Sequence, residues 1–100
     1  MSIRREALLG EWVHSHEEDE PGLKVFRRSG HRFPPARGRD ALELKADDTA
    51  VVRGPGPTDV PEEKAGRWEL DGETIRLDAG GEARALDVVS CDDERLVVRE

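Results

Sequence analysis

Between Gly66 and Ala79 the chain reads GRWELDGETIRLDA. Apolar and polar residues alternate on both sides of Asp71-Gly72, and Asp-Gly is the dipeptide that tolerates the positive φ angles of a two-residue type I′ turn. The segment therefore predicts a β-hairpin. Residues two apart in a strand share a face, so Trp68, Leu70, Ile75 and Leu77 make one apolar side. A lone hairpin cannot bury such a side, and further strands have to supply the opposing wall.

The rest of the chain supplies them. LLGEWVH, GLKVFRR, ALELKA, TAVVRG, ARALDVVS and ERLVVR show the same period of two, with turn residues between them. With the two strands of the hairpin this predicts an all-β fold: a small up-and-down antiparallel β-barrel of about eight strands, whose closure removes the sheet edges. SIRREALL predicts a short N-terminal helical turn. SGHRFPPARGR and GPGPTDVPEE are too long for tight turns and read as rim loops. No composition shift divides the 100 residues, so residues 1–100 form one domain, and with 39% charged residues its core is thin.

Three stretches, LLGEW with its Gly10-Glu11-Trp12, GRWELDGETIRL and the closing ERLVVRE, resemble the layout of small bacterial lipocalin-like proteins of the calycin type. In that family a Gly-x-Trp near the start begins the barrel. The resemblance implies that Trp12 points inward and that the barrel holds something small, without naming the molecule. If Trp12 is inward, Gly10, His14 and, should the strand run on, His16 share its side.

Charge restricts the partners. The formal net charge is -7, which argues against a nucleic-acid binder, because affinity for phosphate backbones comes from neutralising them with Lys and Arg. One island departs from this balance. Pro21 to Arg39 contains Lys24, Arg27, Arg28, Arg32, Arg37 and Arg39 and no acid, so the remainder carries -13. Cys91 is the one cysteine, which excludes an intramolecular disulfide and fits a reducing compartment. The apolar run at the N-terminus is too short for a signal sequence and no stretch approaches a membrane span, so a cytoplasmic protein without membrane attachment is expected.

Two features are candidates for chemistry. HSHEEDE places His14 and His16 on one face of a strand, as a metal dyad would be, but no spacing defines a third ligand. The expectation is a rim histidine followed by a solvated acidic turn, with no metal and no cofactor. The segment RRSGHRFPPARGR joins Arg forks suited to carboxylate or phosphate with Phe33 as an apolar surface. Its plainer reading is that the arginines tie the loop to neighbouring Asp and Glu. GPGPTDVPEE lacks the lysine and helix of a phosphate-binding loop, and the acids beside Cys91 disfavour a nucleophilic thiol.

The resulting expectation is a non-enzymatic domain that binds a small anionic or amphipathic molecule in or at the mouth of the barrel. Trp12, Leu44, Trp68, Ile75, Leu77, Leu86 and Leu96 would line it. The candidate ligand-binding residues are Trp12, His14, Arg28, His31, Phe33, Arg37, Arg39 and Trp68. One alternative is an interaction module docking through residues 27–39 on an acidic protein. Another is a small barrel enzyme with His14 or His31 as acid and base. The oligomeric state is not set by these patterns.

Overall fold

Eight strands close into a single antiparallel barrel in the computed structural model, which describes residues 3–34, 39–55 and 61–99. They are β1 (Gly10–His14), β2 (Lys24–Arg28), β3 (Ala41–Leu44), β4 (Thr49–Pro55), β5 (Pro61–Asp71), β6 (Thr74–Ala79), β7 (Glu82–Cys91) and β8 (Arg95–Arg99). The helical turn expected at the N-terminus is a single 3-10 turn, Arg5–Leu8, and a second one, His16–Glu18, follows β1. No helix among the described residues is long and apolar enough to cross a membrane.

From β3 to β8 the strands follow one another around the barrel as sequential hairpins predict. β1 and β2 are likewise neighbours, but β2 and β3 are not. β1 sits between β2 and β3, and β8 closes the barrel on β2. Since every pair is antiparallel, β2 and β3 run in the same direction. Their connection, Ser29–Asp40, must therefore travel the height of the barrel past β1. Twelve residues reach roughly 40 Å when extended, ample for that crossing. The length of the Arg-rich segment thus serves a crossover, not a rim loop.

GPGPTDVPEE differs from its reading as a loop at its two ends, residues 56–60 lying outside the described residues. β4 and β5 continue into it, pairing Arg53 with Glu63, Gly54 with Glu62 and Pro55 with Pro61. The prolines stand at strand ends, where a missing N–H removes no interior ladder bond.

Alternation sets the inside. Trp12, Phe26, Leu42, Leu44, Ala50, Trp68, Ile75, Leu77, Leu86, Val88, Leu96 and Val98 form one buried cluster, joined by Leu8 from the N-terminal turn. Each large side chain so buried contributes about 1.5–3 kcal/mol relative to exposure. The pattern slips once, at a bulge between Val88 and Ser90 that leaves Val89 and Ser90 both exposed. Beyond it Cys91 faces the core again. β5 and β6 approach closely at Gly66, where a Cβ would overlap the carbonyl oxygen of Asp78.

Both tryptophans are buried, and each indole N–H is satisfied: Trp12 Nε1 donates to Leu8 O at 3.0 Å, Trp68 Nε1 to Lys45 O at 2.9 Å. The Arg5–Leu8 turn lies at this end of the barrel, called the lower end below. Arg5 pairs with Asp48 and donates to Ala46 O at 3.1 Å, and its guanidinium lies 4.7 Å from the Trp68 ring centroid.

Candidate site at the upper mouth

Strand directions bring one end of β1, β2, β4, β5 and β7 together at the upper mouth. His14 is two residues beyond Trp12, Lys24 two before Phe26, Lys64 four before Trp68 and Arg84 two before Leu86. All four therefore share the inward face of their core neighbours. They line a cavity of about 210 Å³ together with Phe26, Leu42 and Val52, which are apolar, and with Asp40. An inward position at a strand end is ordinarily filled by another apolar group, yet here four such positions carry basic side chains or imidazole around an apolar floor. A wider concavity of about 720 Å³ runs over β5, β6 and β7. It is lined largely by outward-facing side chains of both signs, Arg67, Glu69, Arg76 and Asp78 among them, and converges on no single chemistry.

The HSHEEDE segment folds against this mouth. His14 Nε2 lies 2.8 Å from Asp19 Oδ2, and Asp19 Oδ1 accepts the backbone N–H of Val25 at 2.9 Å, which fixes the carboxylate. The His14 ring packs against Phe26, 5.3 Å between centroids. His16 is exposed, with its ring 6.1 Å from that of His14 and its Nε2 3.5 Å from Glu17. Among the described residues no group of three or more His, Cys, Asp and Glu is placed to hold a metal ion.

The acidic run is not simply a solvated turn. Glu17 takes a two-pronged contact from Arg39, at 2.9 and 2.6 Å. Glu18 takes another from Arg27, at 2.8 and 2.7 Å, and also accepts the buried Ser15 hydroxyl at 2.7 Å. Hydrogen bonding by Arg39 holds the Glu17 carboxyl down to about 2, and by Arg27 does the same for Glu18. Two arginines of the basic island, Arg27 and Arg39, are thus the counter-ions of two carboxylates of the acidic run.

The expected site residues separate accordingly. Trp12 and Trp68 pack in the core, as do Leu44, Ile75, Leu77, Leu86 and Leu96, so the interior is filled by these side chains and the space for a ligand lies at the mouth. Arg28 is at the opposite, lower end. Its guanidinium donates to Leu9 O, Ala7 O and Asp93 O at 2.8, 3.2 and 3.0 Å. Gly10 of the Gly-x-Trp makes room for it: its φ is +113°, and a Cβ there would stand 2.8 Å from Arg28 Nη1. His31 is exposed and meets Phe33 edge-on at 4.8 Å, both on the crossover. Arg39 lies 4.6 Å from the Phe33 ring centroid and also donates to His14 O and Pro34 O, so it borders the mouth but is committed to Glu17. Arg37 lies outside the described residues. Among the described members of the expected set, only His14 lines the cavity.

Lys24, Lys64 and Arg84 line the mouth and lie outside the expected set of ligand-binding residues. Their signal was parity: each stands on the side of its strand that the core residues occupy. No family model, no curated protein and no solved structure matches the chain.

Proposed function

We propose that this barrel is a lipocalin-like, non-enzymatic binding domain that takes a small anionic, amphipathic molecule at its upper mouth. The observation that carries the reading is the convergence of Lys24, Lys64, Arg84 and His14 from four strands around Phe26, Leu42 and Val52. Apolar walls with a few convergent polar groups are the usual make-up of a small-ligand site. Basic groups beside low-dielectric walls attract anions despite a net charge of -7. The lipocalin-like assignment draws on Gly10-x-Trp12, where the glycine admits the arginine that covers the tryptophan. A cytoplasmic setting agrees with the single, unpaired cysteine.

Docking on an acidic protein through residues 27–39 draws less support, since Arg27 and Arg39 are bound to Glu18 and Glu17 and Arg28 to backbone carbonyls. A proton-transfer role has one specific observation in its favour: His14 lines the cavity and is held by Asp19.

The test is NMR titration of isotope-labelled protein with octanoate and, separately, octanol. Saturable shifts at His14, Gly54 and Arg84 are expected with octanoate and weaker ones with octanol. Lys64→Ala combined with Arg84→Ala should lower octanoate affinity about tenfold or more, the loss of one or two charge-assisted contacts. Equal binding of acid and alcohol, or shifts confined to the outer face of β5 to β7, overturns the reading.

A further inference from the structure

His14 offers its cavity a specific hydrogen-bonding group. A carboxylate only accepts, and in a neutral imidazole one nitrogen donates while the other accepts. With Nε2 at 2.8 Å from Asp19 Oδ2, and Asp19 itself held by Val25 N, a neutral His14 ring carries its proton on Nε2 and keeps the lone pair on Nδ1. The ring cannot turn freely, because it is packed on Phe26 and its side chain is only 17% exposed. Among the described residues no hydrogen bond reaches Nδ1. Nδ1 is thus an acceptor on a residue that lines the cavity, open to a donor from a ligand.

Resting on the anion-binding reading above, we infer that the mouth selects a hydroxylated organic anion. Its acid group lies among Lys24, Lys64 and Arg84, its apolar body on Phe26, Leu42 and Val52, and its hydroxyl donates to Nδ1 of His14. The volume of about 210 Å³ sets the size, that of a single-ring or short-chain hydroxy acid. Asp19 acts as a positioning residue, since it decides which nitrogen of His14 is the acceptor.

Two measurements at pH 8 test this. Long-range proton–nitrogen NMR reads the tautomer of His14 directly, and the Nε2–H form is expected. Calorimetric titration then compares benzoate with the three monohydroxybenzoates. At least one hydroxybenzoate should bind roughly threefold to tenfold tighter than benzoate, the worth of one net hydrogen bond. That preference should vanish in His14→Phe, which should bind benzoate and the hydroxybenzoates alike. Asp19→Asn, whose amide can donate to Nε2 and so move the ring proton to Nδ1, should abolish it as well, and this variant stands in if His14→Phe does not fold. An Nδ1–H tautomer in the wild type overturns the inference. So does equal binding of all four acids with shifts at Lys24 and Lys64, which would leave the anion-binding reading standing. If none of the acids perturbs the mouth, the anion-binding reading fails too, and the inference with it.

Discussion

The guanidinium of Arg28 lies 3.8 Å from the centroid of the Trp12 ring and caps the lower end of the barrel over it. Its donors are directed at the carbonyls of Ala7, Leu9 and Asp93, so one side chain ties the N-terminal turn, the start of β1 and the β7–β8 turn together. Arg28→Ala leaves carbonyls without their donor and is expected to cost about 2–4 kcal/mol. Arg28→Lys should recover only part of that, because an ammonium cannot present a planar fork. For a domain of this size each kcal/mol lowers Tm by about 4–8 °C. A lysine variant melting with the wild type would show that charge alone suffices at this position.

Gly66 provides a sharper packing test. A methyl group there would collide with the backbone carbonyl of Asp78, which no rotamer change relieves. Gly66→Ala should destabilise the barrel by about 3 kcal/mol or more, by forcing β5 and β6 apart. Gly81→Ala, with open space around the added Cβ, is a control for substitution in this hairpin region. Its own cost comes only from the positive φ. Urea midpoints for the two variants should differ clearly, and equal midpoints would refute the close approach.

Acid should weaken the ties between the acidic run and the crossover. Glu17 and Glu18 ordinarily titrate near 4.5, but their arginine partners lower both to about 2 in the folded protein. A depressed carboxyl contributes stability that is complete above the unfolded value and is lost as pH falls through the folded one. The wild-type urea midpoint should therefore drop between about pH 4.5 and pH 2. In Glu17→Gln combined with Glu18→Gln the curve should be flatter over the same window. Parallel curves would mean that the two pairs contribute nothing in solution.

Cys91 should be a slow thiol. Burial raises its pKa above the ordinary value, against a smaller opposing influence of Arg28, and its side chain packs on the core side of β7. Alkylation by iodoacetamide at pH 8 is expected to run at least about tenfold slower in the folded protein than in urea. Equal rates would place the thiol in solvent.

Much of the architecture was written in local patterns. A period of two, Asp71-Gly72 and the small turns between apolar runs identified eight strands, and the resemblance around Gly10-x-Trp12 implied an inward face for Trp12. From that face His14 followed, and it does line the mouth. What local patterns could not carry was strand order. A hairpin signal says that two strands are neighbours only where a tight turn joins them. Between Arg28 and Ala41 there is no such turn, and the same residues serve equally as a rim loop or as a crossover past β1.

The ionic pattern divides in the same way. An acidic run and a basic island are plain in the sequence, yet which carboxylate meets which guanidinium depends on the crossover bringing Arg39 back beside Glu17 and on the His16–Glu18 turn packing against β2. The candidate site depends on closure still more. Lys24, Lys64 and Arg84 each carry the parity of the core, but they belong to three strands distant along the chain. Alternation is a property of neighbouring residues, set by backbone geometry, and is legible one strand at a time. Convergence at a barrel mouth depends on the direction and stagger of all eight strands, which only their closure into a barrel decides.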